Sequence, residues 1–225
     1  MTASAAVSPA DFAATALLGE CSEELIATLV ACSRVRALRR HQVLFVHGDA
    51  ADSLVIVRSG RLKVYAPSST GDELLLMIAV AGETLGEVGV LGPDERSATV
   101  EAMEPAEVVL VQRDAFMRAL DSDPALSRRL QLRIAALTRK MTASSTDLAF
   151  VDLPRRLAKA LLEFAGAGGA ARVEMSQSDL ASYVGGSRQT VNAALTAFER
   201  RGWVDLEGGR AASLDVAALR QFAEG

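Results

Sequence analysis

The sequence predicts an α+β fold: a small N-terminal barrel or sandwich of short strands, one long helix, and a C-terminal winged helix-turn-helix. Three observations predict it. Between Gln42 and Val111 short β-rich runs recur between turn residues, the pattern of an all-β sandwich or small barrel. From Leu130 to Val151 apolar residues return at spacings of four and three, the period of a helix with one buried seam. Near the C-terminus Ala181, Gly185 and Val191 stand at the offsets of a tight helix-turn-helix, and a short strand pair follows.

Taken in order, Met1–Ala10 is rich in Ala, Ser and Pro and reads as a frayed tail. It has neither a basic n-region nor an apolar h-region, so a secretory signal is not expected. Residues Ser22–Arg40 read as one helix, with Leu25, Ile26, Leu29 and Val30 as its apolar stripe. On one straight helix Cys21 and Cys32 would lie about three turns apart, too far to bridge. Two cysteines make no disulfide framework, and a reducing, cytoplasmic setting is expected. No apolar run reaches membrane-spanning length, and Leu74–Val80 is far too short.

The expected strands are Val43–Val46, Ser53–Val57, Leu62–Tyr65, Leu74–Val80, Ala98–Ala102 and Glu107–Val111. Turn residues separate them at Gly48-Asp49, Ser59-Gly60, Gly71-Asp72, Gly82-Glu83 and Gly92-Pro93-Asp94. The helix that follows carries Leu130, Ile134, Leu137, Met141, Ser144, Leu148 and Val151, until Pro154 kinks or ends it. Packing on its own barrel is one use of that seam. A twin helix is the simplest second partner, so a homodimer is expected. The chain therefore divides into a sensor domain (1–122), a dimerisation helix with hinge (123–153) and a helix-turn-helix domain (154–225), and 225 residues can bury a core in each of two small domains.

After Pro154 come a helix (Arg155–Ala165), a glycine-rich break (Gly166–Ala170) and two helical segments divided by Gly185-Gly186. Strands around Trp203–Leu206 and Ala211–Leu214 turn at Gly208-Gly209. Ser176 and Asp179 form a capping box. Ala181 lets the second helix approach, Gly185 permits positive φ, and Val191 fills the space between the helices. Ser187 caps the second helix, whose buried face is Val191, Ala194, Leu195 and Phe198. Its opposite face offers Arg188, Gln189, Asn192 and Thr196, with Ser187 and Thr190 at the helix start, where contact with a DNA groove occurs. Arg188 has the fork to donate to guanine N7 and O6, and Gln189 both donates and accepts. Arg200 and Arg201 suit phosphates or solvent. An ordinary helical hairpin with solvated polar residues is the alternative.

The formal net charge is −4. From Pro154 onward nine Arg or Lys stand against eight Asp or Glu, so that part is +1 and the rest −5. Contact with DNA then depends on a local patch rather than on bulk charge.

The segment Gly82 to Ala98 is the most informative. Gly86 lets backbone approach a ligand, and the short turn Glu87–Leu91 points N–H groups at an anion. Arg96 offers a planar fork for phosphate oxygens, and Ser97 adds a hydroxyl. Glu87 is out of place at an anion unless the ligand also donates a hydroxyl to it, as a ribose 2′-OH does. Chemistry alone leaves a surface ion pair between Glu87 and Arg96 open.

Gly86-Glu87-Val88 followed by Arg96-Ser97-Ala98 resembles the phosphate-binding cassette of cyclic-nucleotide-binding domains. Phe45-Val-His-Gly48-Asp49, Gly60 and Gly82-Glu83 match the turns of the same jelly-roll barrel. With Asp147-Leu-Ala-Phe150-Val-Asp152 and Gly185-Gly-Ser187-Arg188-Gln-Thr190-Val191, the chain resembles the CRP/FNR family of bacterial regulators from about Asp11 to Leu214. The resemblance implies cyclic AMP as ligand, a dimer through the long helix, a pseudo-palindromic site on double-stranded DNA, and contact with RNA polymerase. It assigns the nucleotide to Gly86, Glu87, Val88, Arg96, Ser97, Ala98, Met141 and Thr142, and DNA contact to Ser187, Arg188, Gln189, Thr190 and Asn192. The chain departs from it in places. Met141 replaces a polar base contact, and Leu137 stands where the best-known cyclic-AMP members carry arginine. Gln189 and Ala193 replace a family glutamate and arginine, and the loop Gly166–Arg172 is short where some members meet RNA polymerase.

Other classes fare worse. Two cysteines cannot hold a four-thiolate iron–sulfur cluster, and His41 and His47, flanking a strand, fit structural or solvent roles. No haem, metal or cluster is expected. There is no phosphate loop and no Gly-x-Ser-x-Gly elbow, so no enzyme is expected. A regulator of the same family that binds DNA without a nucleotide, or senses another small ligand, is the remaining alternative.

Overall fold

A computed structural model describes residues 6–68, 72–92, 95–166, 173, 175–208 and 210–224. The expected turns at Gly71, Pro93-Asp94 and Gly209, and the break at 167–172, lie outside the described residues. The chain divides into two compact units, Met1–Gly71 with Leu76–Arg139, and Asp72–Leu75 with Lys140–Gly225.

Eight strands run in chain order: β1 (Ser33–Leu38), β2 (Val43–Phe45), β3 (Ser53–Ser59), β4 (Leu62–Pro67), β5 (Glu73–Ala79), β6 (Thr84–Leu85), β7 (Thr99–Ala102) and β8 (Ala106–Gln112); all belong to the first unit except residues 73–75 of β5, which are grouped with the second. They form two four-stranded sheets, ordered β1-β8-β3-β6 and β2-β7-β4-β5. Described pairings are antiparallel, with Leu54 opposite Val111 and Val64 opposite Val100. Alternation along β3 and β8 sends side chains to two different cores. Val55, Val57, Val108 and Leu110 pack with Leu38, Leu62 and Val100. Leu54, Ile56, Val109 and Val111 pack instead under helices, against Phe12, Leu18, Leu29, Phe116 and Leu126. Those helices are α1 (Pro9–Ala13), α2 (Glu23–Ala31), α4 (Arg113–Ser122) and the start of α5 (Pro124–Phe150), with the short α3 (Glu87–Leu91) between β6 and β7.

Two expectations need correction. The helix read over Ser22–Arg40 is half as long. Ser22 caps α2 through Leu25 N–H at 3.3 Å, and the chain then extends as β1, paired with β8 from Ser33–Val111 to Leu38–Ala106. Over so short a run Val35 and Leu38 fit either period, and pairing with β8 decides. Cys21 and Cys32 therefore flank α2 rather than share a longer helix, and both are free thiols. The N-terminal tail is also ordered earlier than its composition suggests. Pro9 opens α1, Ser8 N–H donates to Asp11 at 2.8 Å, and Arg58 of β3 grips Asp11 with Nε and Nη2, each at 2.8 Å. Phe12 is thereby fixed in the core.

The long helix α5 spends its first half on its own domain: Leu126 and Leu130 are buried and Ile134 packs against the same core. Later seam positions are exposed, Met141 at 56 % and Leu148 at 38 %. The seam read from sequence is thus divided: Leu126 and Leu130 are buried in the first unit's own core, and Ile134 is half-buried against it.

In the second unit α5 ends at Phe150, before Pro154. Proline instead occupies the first turn of α6 (Leu153–Gly166), where it costs no hydrogen bond. Asp152 accepts from Arg155 N–H at 2.9 Å and starts that helix. There follow α7 (Gln177–Val184), α8 (Arg188–Arg200), the pair β9 (Val204–Glu207) and β10 (Arg210–Leu214), and α9 (Val216–Glu224). Helix α9, which the sequence reading omitted, closes the unit by packing Phe222 on Phe198 and Trp203, with centroids 5.6 and 5.2 Å apart.

Candidate functional site

The cassette lies between β6 and β7. Gly86 caps α3 in the left-handed region, with φ 86°. A Cβ there would stand 2.5 Å from Nη1 of Arg96, so only glycine brings this backbone against the guanidinium. Arg96 is 3 % exposed. Its Nη1 donates to Ser53 O at 2.8 Å, and Nη2 to Ser53 Oγ at 3.1 Å and Asp52 Oδ1 at 3.4 Å. The guanidinium carbon lies 4.1 Å from the Phe45 ring centroid, a cation–π contact. Burial pushes the Arg96 pKa down, and Asp52 and Asp49 act against that. Its Nε is buried with no hydrogen-bond partner among the described residues. A buried donor left unpaired costs about 1–3 kcal/mol. An anion against Arg96 relieves that cost, so the residues present fit an anionic ligand.

Glu87 is equally buried, at 3 % exposure. Its Oε1 accepts from Thr84 Oγ1 and from Arg133 Nε, both at 2.5 Å. Arg133 also donates through Nη2 to Thr84 O at 2.6 Å. The surface ion pair left open by the sequence is therefore not formed: Glu87 and Arg96 are both buried and each has other partners. Around them Ala98 is buried, while Val88 and Ser97 are exposed. Met141 and Thr142 are exposed positions of α5 in the second compact unit.

Sequence reasoning missed Thr84, Ser53 and Arg133. Arg133 left a signal. It and Arg129 stand four residues apart beside the buried stripe Leu126, Leu130 and Ile134, where a cation on a half-buried helix needs an inward partner. Arg129 finds one in Leu17 O at 2.9 Å, and Arg133 finds Glu87. The histidines have local roles: His41 Nδ1 sits 3.1 Å from Glu101, and His47 is held through its backbone N–H on Thr99 Oγ1 at 3.0 Å.

In the second unit Ser176 caps α7, accepting from Asp179 N–H at 3.1 Å. Gly185 ends it with φ 62°. Ser187 caps α8 by accepting from Thr190 N–H at 3.1 Å, and the two hydroxyls lie 2.8 Å apart. Val191, Ala194, Leu195 and Phe198 are buried. Arg188, Gln189 and Asn192 are exposed together on the other face, with Asn192 Oδ1 accepting from Gln177 Nε2 at 3.1 Å. Thr190 thus serves the cap as well as the exposed surface. Among the described residues no helix is long and apolar enough to cross a membrane, and no group of three or more His, Cys, Asp or Glu could hold a metal ion.

Comparison with known proteins agrees with both halves of this description. Residues 35–123 match the cyclic nucleotide-binding domain and residues 155–222 the Crp-like helix-turn-helix domain. A CRP-like cAMP-activated global transcriptional regulator of Mycobacterium tuberculosis is 35 % identical over 176 residues, 75 % of this chain and 79 % of that protein. The cyclic AMP receptor protein of Thermus thermophilus is 29 % identical over 182 residues, 81 % of this chain and 84 % of that one. The c-di-GMP responsive global regulator CLP of Xanthomonas campestris shares the fold, with a TM-score of 0.76 at 22 % identity over 86 % of this chain and 99 % of that one. These relatives are regulators, not enzymes. A cyclic-nucleotide-binding domain followed by a Crp-like helix-turn-helix, with a relative this similar over three quarters of its length, makes the chain a member of the CRP/FNR family of transcription regulators.

Proposed function

We propose that this regulator's affinity for DNA is modulated by a cyclic nucleotide, cyclic AMP first among them. The observation that carries the reading is Arg96: a buried guanidinium held by Ser53, Asp52 and Phe45, with one donor unpaired and a glycine backbone against it. The mycobacterial and Thermus relatives, whose names specify cyclic AMP, support the choice of nucleotide.

On this reading the cyclic phosphate sits on Arg96, Ser97 and the backbone of Gly86, Glu87 and Val88, with Ala98 behind it. The ribose hydroxyl donates to Glu87. Thr142 and Met141 meet the base across a homodimer formed along α5. Two α8 helices then enter successive major grooves of a pseudo-palindrome, about 34 Å apart. Arg188, Gln189 and Asn192 read bases, while Ser187 and Thr190 fix the helix start against the backbone. The working division is 1–122 for sensing, 123–153 for dimerisation and 154–225 for DNA. RNA polymerase is a further partner and the cytoplasm the working compartment. Coupling is expected to be weak, about 1–2 kcal/mol, because Leu137 and Met141 offer the base no strong polar contact. The same two residues favour the rival reading, a regulator that binds DNA without a nucleotide.

Calorimetry with cyclic AMP, followed by titration of a selected operator with and without saturating ligand, tests the proposal. Arg96→Leu should weaken the nucleotide by at least tenfold, the loss of a charge-assisted contact of about 1.5–3 kcal/mol. It should also abolish the difference between the two DNA titrations. Unchanged nucleotide affinity in that variant overturns the assignment of the site, and equal operator affinity with and without ligand in the wild type overturns the coupling.

A further inference from the structure

We infer that Arg133, a residue of the long helix, is the positioning residue that makes the cassette selective for a ligand carrying a ribose 2′-hydroxyl. The inference rests on the cyclic-nucleotide reading above and adds to it.

Glu87 poses a chemical problem. It is a buried carboxylate close to a cassette whose other residues suit an anion, and an uncompensated charge there opposes both folding and phosphate binding. Arg133 answers both at once. Its Nε donates to Glu87 Oε1 at 2.5 Å and its Nη2 to Thr84 O at 2.6 Å, so one guanidinium neutralises the carboxylate and ties it to β6. Thr84 Oγ1 donates to the same Oε1 at 2.5 Å. Both donors thus converge on one oxygen, and among the described residues none donates to Oε2. The carboxylate is fixed and one-sided, an acceptor for a single incoming hydroxyl. A guanidinium is suited to this double task, because its fork serves a carboxylate and a carbonyl in one plane.

The geometry also separates Arg133 from its neighbour one turn earlier. Arg129 bonds Leu17 O at 2.9 Å and lies 3.2 Å from Cys21 Sγ, so it secures the N-terminal segment. Of these two arginines only Arg133 reaches the cassette. Removing it leaves Arg96 and its partners in place, and the damage should fall on the hydroxyl rather than on the phosphate.

The test measures cyclic AMP and 2′-deoxy cyclic AMP on the full-length wild type, Arg133→Leu, Arg133→Lys and Glu87→Gln by calorimetry, with circular dichroism melts to confirm folding. The wild type should prefer the ribonucleotide by about tenfold to a hundredfold, the size of one hydrogen bond to a charged group. In Arg133→Leu that ratio should fall to within about threefold, with Arg133→Lys between. Glu87→Gln should lower it as well, and adding Arg133→Leu to Glu87→Gln should lower it no further. A merely structural arginine would weaken both ligands equally. A folded Arg133→Leu or Arg133→Lys protein that binds both nucleotides with the wild-type ratio therefore overturns the role of Arg133 and leaves the ligand reading intact. Failure of the wild type to bind cyclic AMP at all overturns the ligand reading, and this inference with it.

Discussion

Asp11 shows how much one side chain can hold. Burial alone would raise its pKa, yet the hydrogen bond from Arg58, the bonds from Ser8 and the charge of Arg58 outweigh that and leave it lowered. A carboxylate with a depressed folded-state pKa adds stability above its unfolded value, near 3.8, and loses it as pH falls through the lower folded value. Asp11→Asn should therefore cost about 1.5–3 kcal/mol at neutral pH and progressively less as pH falls below about 4. Urea denaturation of the two proteins at pH 7 and at the lowest pH where both still fold checks this. A difference that does not shrink with acid would mean that the ion pair is not what Asp11 contributes. The same residue marks a limit of reading the chain unaided. Ser8 and Asp11 carry the capping signal in plain view, but its partner is Arg58, 47 positions away, and no local pattern announces that pairing. Arg96 and Gly86 were legible because their chemistry is specific. Arg133 was not, because the family resemblance points to Leu137, one turn further on, and no local pattern pairs Arg133 with Glu87.

At the scale of elements, periodicity served well where one partner sufficed and failed where several competed. Strands β3, β4 and β8 and the capped helices α7 and α8 follow from alternation and caps. Strand β1 was misread because only its pairing with β8 distinguishes it from a continued helix. The turn between α7 and α8 is a junction as well as a bend. Gly185 has φ 62°, and a Cβ on it would lie 2.6 Å from Leu148 Cδ2 of α5; Leu153 Cδ1 crowds Gly186 in the same way. Glu163 of α6 accepts from Tyr183 Oη at 2.6 Å and pairs with Lys140 of α5 at 2.7 Å. Burial and that bond hold the tyrosine protonated, its pKa well above the usual value. Gly185→Ala should accordingly destabilise the second unit by about 1–3 kcal/mol. Adding Leu148→Ala should cost less than the sum of the two single changes, because the clash is gone. Trp203 is the only tryptophan and lies in this unit, so its fluorescence during denaturation reads the effect. Strict additivity would show that Leu148 does not press on the turn.

For the whole molecule, the exposed half of the α5 seam bears on assembly. Leu126, Leu130 and Ile134 already stabilise the first unit, so charge placed there tests folding rather than association. Met141 and Ser144 are exposed and separate the two effects. The Met141→Asp, Ser144→Asp protein should stay folded, with a cooperative melt that no longer depends on protein concentration, yet sediment as a monomer at micromolar concentration, where the wild type is expected to be a dimer. Persistence of the dimer places the interface elsewhere. The grip of Arg58 on Asp11 has a second consequence, for how the chain finds its register. Strands β3 and β8 bury apolar side chains on both faces, so alternation of apolar and polar residues cannot tell one face from the other, and a slip by a single residue would still look apolar on each side. Arg58 removes the ambiguity. It follows Leu54 and Ile56 on the helix-covered face, where Asp11 awaits it. Shifted by one residue, β3 would send that guanidinium between the sheets in place of Val57, an unpaired charge among aliphatic side chains at a cost of several kcal/mol. A single cation near the end of an otherwise greasy strand thus acts as a parity check on the central pairing of the first unit, rejecting the misfold that its hydrophobic neighbours would tolerate.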